Sequence, residues 1–131
     1  MKEDEKIRQP ELKTEELLRL LKDIKWEYGS IFNFNGIPFQ IIITNVDELA
    51  DDKTGEKYGE PAEFYESTEV PGGFDIYLHD TIPESERERI LFHEIMEANL
   101  TSQGIKDSER HDITLQEEEK VFGKRDNQEK K

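Results

Sequence analysis

His93, Glu94 and Glu97 are the residues whose types and spacing invite chemistry. They lie in Ile90-Leu91-Phe92-His93-Glu94-Ile95-Met96-Glu97-Ala98-Asn99-Leu100, a stretch so apolar on nearly every side that a helix there must be buried. Carboxylates in such a helix are costly unless they are paired or bound to a cation. His93 and Glu97 are four positions apart, so their side chains meet on one helix face. Glu94 is turned about 100° around the axis, near that face but off it. Two ligands one turn apart can grip a metal ion. The Glu beside the first ligand is then placed to take a proton from a water that the metal activates. Without a metal, His93 would hydrogen-bond Glu97 across the turn, and the pair would face solvent or a partner.

A metal needs a third ligand, and the chain contains no Cys, so His and carboxylate must supply the whole set. His111 is the best candidate. It follows the Gly104 turn, 18 residues past His93, and can fold back at the head of a last helix. The set His93, Glu97 and His111 is two imidazoles and one carboxylate, an inventory that leaves one position open for water. His111 can equally be a surface residue beside Asp112. His79, at the end of a strand just before the long helix, is the alternative third ligand. Glu118 lies seven residues after His111, two helical turns on, and could support it from behind; with its neighbours Glu117 and Glu119 it otherwise reads as a solvated face. Converging ligands would bring their donor atoms to about 3–4 Å of one another, around a metal at roughly 2.0–2.2 Å.

The elements that must position these residues can be read from pattern. Thr14 to Lys25 repeats Leu17, Leu18, Leu21 and Ile24 at helical spacing, with Thr14 as the expected N-cap. Ser30 to Asn45 is β-rich, and Asn35-Gly36 inside it is a hairpin turn signal because both residues tolerate positive φ. Pro38 argues that the returning strand starts late or lies at an edge. Asp47 to Glu60 is polar and Gly-punctuated, which predicts a mobile loop. Ala62 to Thr68 and Phe74 to Asp80 read as strands around the turn Pro71-Gly72-Gly73. Pro83 to Ser102 is the strongest helix, with acidic residues in its first turns. A last helix is expected from about Asp112 to Phe122. Trp26 and Tyr28 read as anchors of a helix end in the core.

The fold class that follows is α+β: a small, mostly antiparallel sheet packed on a long central helix, with helices before and after. Residues 12–122 would form one domain, and the charged ends, 1–11 and 123–131, would be flexible tails. The predicted core is Leu17, Leu21, Ile24, Phe34, Ile41, Ile43, Ile76, Leu78, Leu91, Ile95 and Phe122.

Length and charge narrow the functions. With 131 residues the chain fits one domain with a core of its own. Asp and Glu number 32 against 18 Lys and Arg, a net charge of -14. That charge repels phosphate backbones and anionic lipid, so nucleic acid and membrane surfaces are excluded as default partners. No apolar run reaches the roughly 20 residues of a spanning helix. The first residues carry no apolar signal core, so a cytoplasmic protein is expected.

The strand, the helix IPESERERILFHEIMEA and the short second helix together resemble the small zincin-like metallopeptidases, nearest the ImmA/IrrE-type and related proteins of phages and mobile elements. The resemblance covers about Phe74 to Phe122. It implies a zincin-like fold, one zinc ion, and hydrolysis of peptide bonds in a peptide or protein substrate. It carries His93 over as first metal ligand and Glu94 as general base. The chain departs from the common H-E-x-x-H pattern at Glu97, where the family has His; a carboxylate can also ligate zinc. The strand Phe74 to Asp80 would lie at the sheet edge and pair with an extended substrate. Two other readings remain: a non-catalytic metal-binding or regulatory protein on the same scaffold, and an acidic protein-interaction module without metal.

Overall fold

The computed structural model describes residues 10–44 and 62–123. The expected loop Asp47 to Glu60 and most of both tails lie outside them. Among the described residues, three helices and four strands follow in the order α1 (Thr14–Leu21), β1 (Ile31–Phe34), β2 (Ile37–Thr44), β3 (Ala62–Glu66), β4 (Phe74–His79), α2 (Glu84–Ser102) and α3 (Asp107–Phe122). The α+β class is as expected. The strands form one sheet in the order β1-β2-β4-β3. Its outer pairings, β1 with β2 and β3 with β4, are antiparallel, but the central pairing of β2 with β4 is parallel. The sheet is therefore mixed: two of its three pairings are antiparallel, in keeping with the mostly antiparallel expectation, and its centre is parallel.

The hairpin between β1 and β2 forms at Asn35-Gly36, where φ is 54° and 78°. Both angles are positive, which matches the twist of the flanking strands. Pro38 lies in an interior strand and not at an edge, because the parallel ladder starts one residue later, at Phe39↔Phe74. At that start Gly73 packs against the Pro38 carbonyl so closely that any β-carbon would collide with it. The expectation that β4 forms the edge is also corrected. β4 is flanked by β2 and β3, and β3 is the edge strand beside it.

Alternation gives the sheet two different faces. Phe39, Ile41, Ile76 and Leu78 are buried on one face and share a core with Leu91, Phe92, Ile95, Met96 and Ala98 of α2 and with Leu17 and Leu21 of α1. Gln40, Ile42, Asp75 and Tyr77 point to the other face. Eight of the predicted core residues are buried; Ile24, Ile43 and Phe122 are partly buried at its margin. Truncating a fully buried residue such as Ile95 to Ala would cost about 2–5 kcal/mol.

Three local expectations fail for identifiable reasons. Thr14 does not cap α1. Lys13 occupies the cap position at φ 53°, and the Thr14 hydroxyl instead donates to Glu117 Oε1 on α3 at 2.8 Å. Tyr28 is 69% exposed and anchors nothing, whereas the Trp26 ring carries the Arg87 guanidinium 4.5 Å above it. Glu11 is no free tail residue. Its N–H donates to Gln103, and its carbonyl accepts from Asn99 and Gln103.

Candidate metal centre

The seam between α2 and α3 is where the chemistry-bearing residues meet. α3 begins at Asp107, about a turn before the expected Asp112. Asp107 and Glu109 in its first turn suit the helix dipole. His111 therefore sits inside the helix and not at its head. From there it reaches Glu97 of α2, with His111 Nδ1 3.1 Å from Glu97 Oε2. His93 Nε2 lies 3.1 Å from the same oxygen. One ligand atom from each of His93, Glu97 and His111 falls within 4.8 Å of the others. The two imidazole rings stand edge to face, 5.8 Å apart. The carboxylate is thus the hub and the two rings are the arms, a donor set and spacing that fit a divalent transition metal.

Behind His93 stands Glu118. It is 1% exposed, and its Oε1 is 2.8 Å from His93 Nδ1. The contact fixes the ring and turns Nε2 towards Glu97. A carboxylate behind a histidine in this way orients a metal ligand and raises its basicity. The other Glu118 oxygen accepts from Arg89, whose guanidinium also reaches the Phe122 carbonyl at 3.5 Å. Both expectations for Glu118, a solvated face or a support for His111, are thereby corrected: it is buried and it holds His93. Arg110 lies on the far side, with Nε 3.7 Å from Glu97 Oε1.

The electrostatics follow from this crowding. Burial alone would push the His93 imidazolium down. The hydrogen bonds to Glu118 and Glu97, with the negative fields of Glu94 and Glu97, outweigh it and raise the pKa from 6.5 to about 10. Glu97 moves the other way. Burial would raise it, but the hydrogen bonds and charges of His93 and His111 hold its carboxyl below the usual range.

Glu94 lines the same small cavity, of about 270 Å³, as His93, Glu97 and His111. The opposite wall is the edge strand, through Ala62, Glu63 and Phe64. His79 is not part of the cluster; its Nδ1 pairs with the Thr81 hydroxyl at 2.8 Å. Sequence reasoning missed the Glu118–His93 contact and Arg110. Once α3 is begun at Asp107, Arg110, Thr114 and Glu118 recur every fourth residue on the helix face that meets α2, but which α2 residue each one meets depends on how the helices cross.

No helix among the described residues is long and apolar enough to cross a membrane. Comparison with protein-family models, curated proteins and solved structures found no match.

Proposed function

We propose that this chain is a small zincin-like hydrolase of peptide bonds, with His93, Glu97 and His111 as ligands of one zinc ion and Glu94 as general base. The observation that carries the reading is the convergence of three ligand atoms at Glu97 Oε2, with Glu118 fixing the first imidazole from behind. A zinc ion held there would supply a Lewis acid that brings the pKa of a water towards 7. Glu94, in the same cavity, takes the proton from the attacking water and returns it to the leaving amine. His93 must be neutral to serve, with its Nδ1–H donating to Glu118. Arg110 offsets part of the Glu97 charge. The edge strand β3 forms the cavity wall, and an extended peptide added along it would bring its backbone past the three ligands.

One observation favours a second reading. His93 as imidazolium between Glu118 and Glu97, with Arg89 on Glu118, sets two cations against two carboxylates with a proton in place of a metal. On that reading the cluster ties α3 to α2 and does nothing else.

Zinc titration by calorimetry, followed by peptide-library assays, separates the two. The hydrolase reading expects one zinc per chain in wild type and none in His93→Ala. Glu94→Gln should keep the zinc and lose about 10²-fold or more of turnover. Wild type that takes up no zinc supports the structural network. Zinc uptake with turnover unchanged by Glu94→Gln removes Glu94 from its role.

A further inference from the structure

We propose that the sheet face turned away from the helices carries a second site, which binds an organic cation through a guanidinium or ammonium group. This proposal does not depend on the hydrolase reading, because it concerns the opposite face of the sheet.

The cavity there is about 750 Å³, and its lining includes Gln40, Asp75, Tyr77, Tyr28, Glu69 and Asp80. Among the described residues that line it, three are acidic and none is basic. Acidic residues alone would mean little on a chain of charge -14. The informative residue is Asp75. It is only 9% exposed, and its Oδ1 is buried without a hydrogen-bond donor. Gln40 is its register partner on the neighbouring strand, and Gln40 Oε1 is likewise buried without a donor. Two adjacent buried acceptors, both lacking donors, are costly by about 1–3 kcal/mol each. A ligand with several N–H donors and a positive charge removes both deficits at once.

The chemistry selects an organic cation over a metal. Calcium or magnesium wants six or more oxygens in a tight shell. Among the described residues, His93, Glu97 and His111 are the group whose ligand atoms converge to metal distance, and the acids of this cavity do not. They are spread around a wider space, and Tyr28 and Tyr77 add aromatic faces. Spread charge and aromatic walls suit guanidinium and ammonium groups. His79 reaches Asp80 at 3.6 Å but does not line the cavity, so it supplies no donor to Asp75.

Calorimetric titration of the zinc-free full chain with three probes tests this. N-acetyl-arginine amide and N-acetyl-lysine amide carry the two cations; N-acetyl-citrulline amide is the neutral analogue of the first. Saturable binding of at least one cation is expected, with the stronger probe identifying the group. Citrulline should bind at least about tenfold more weakly, and Asp75→Asn should weaken the cation by about tenfold or more. Gln40→Leu keeps the charge and removes the second acceptor, and it should weaken binding severalfold, whether or not Asp75→Asn folds. No saturable binding of either cation up to about 10 mM, citrulline binding as tightly as arginine, or wild-type affinity in the folded variants would each overturn the proposal.

Discussion

Two clusters on opposite faces of the sheet treat their buried carboxylates in opposite ways. On the helical side, His93 has Glu118 and Glu97, and Glu118 has Arg89, so each buried group of that chain has a partner of opposite character. On the other side, Asp75 Oδ1 and Gln40 Oε1 are buried acceptors on neighbouring strands with no donor bonded to them among the described residues. A complete network is self-sustaining, so a metal entering it must displace a proton and compete. An incomplete one has nothing to displace. The helical cluster should therefore report itself through stability and pH, and the sheet-side pair through the response to an added ligand.

The largest effect should come from breaking the complete network at its buried end. Glu118→Ala leaves the Arg89 guanidinium and the His93 imidazolium without their shared carboxylate. Removing one partner of a buried ion pair costs about 3–5 kcal/mol. Denaturant unfolding of the metal-free variant should show that loss; a change below about 1 kcal/mol would mean that Glu118 is not the keystone of the α2–α3 seam.

Next in size is the proton at His93. Its folded pKa, about 10, lies above the unfolded value of 6.5. The folded state therefore binds this proton more tightly. Its contribution is fully present below about pH 6.5 and is lost as pH rises through about 10. Metal-free protein should lose stability from neutral to alkaline pH. Zinc, on the hydrolase reading, must displace the same proton. Its affinity should then rise about tenfold per pH unit between pH 6 and 8 from His93 alone. Zinc affinity that is flat over that range would show that His93 is not a ligand in its neutral form.

These residues differ in how far the chain itself reveals them. The His93 and Glu97 pairing is local, fixed by four residues of helix, and was legible. So was the Asn35-Gly36 turn, because two adjacent positive φ angles need those residue types. The strand order was not legible. The parallel pairing of β2 with β4 joins segments separated by β3, and no local pattern records that β4 becomes interior. Glu118 was placed behind the wrong histidine because spacing along α3 relates it to His111, whereas its contact with His93 depends on how two helices cross. Asp75 alternates with Phe74, Ile76 and Leu78, a pattern that by itself places it on a solvated face. Its burial comes from the face it shares with Gln40 and Tyr77, which only the assembled sheet defines.

A smaller effect is expected on the incomplete side. Asp75→Asn exchanges one acceptor for an amide that can donate to Gln40 Oε1, its register neighbour. Two unpaired acceptors become one hydrogen bond. Stability should stay level or rise by about 1 kcal/mol, the reverse of Glu118→Ala. A clear loss would show that Asp75 is held by structure and not reserved for a ligand.

The smallest expected effect is at His79, and it bears on which histidine completes the cluster. His79 ends β4, bonds the Thr81 hydroxyl next to it and stays outside the group that meets at Glu97. His111 has a bond to Glu97 across the α2–α3 seam. His79→Ala should change stability by no more than about 0.5 kcal/mol, as a surface substitution does, and leave zinc affinity at its wild-type value. His111→Ala should weaken zinc by at least about tenfold, the low end for disturbing a metal's coordination. The comparison is internal, because both variants lose one imidazole and differ only in where it stood. If His79→Ala weakens zinc and His111→Ala does not, β4 supplies the third ligand and the α2–α3 seam is a structural ion network.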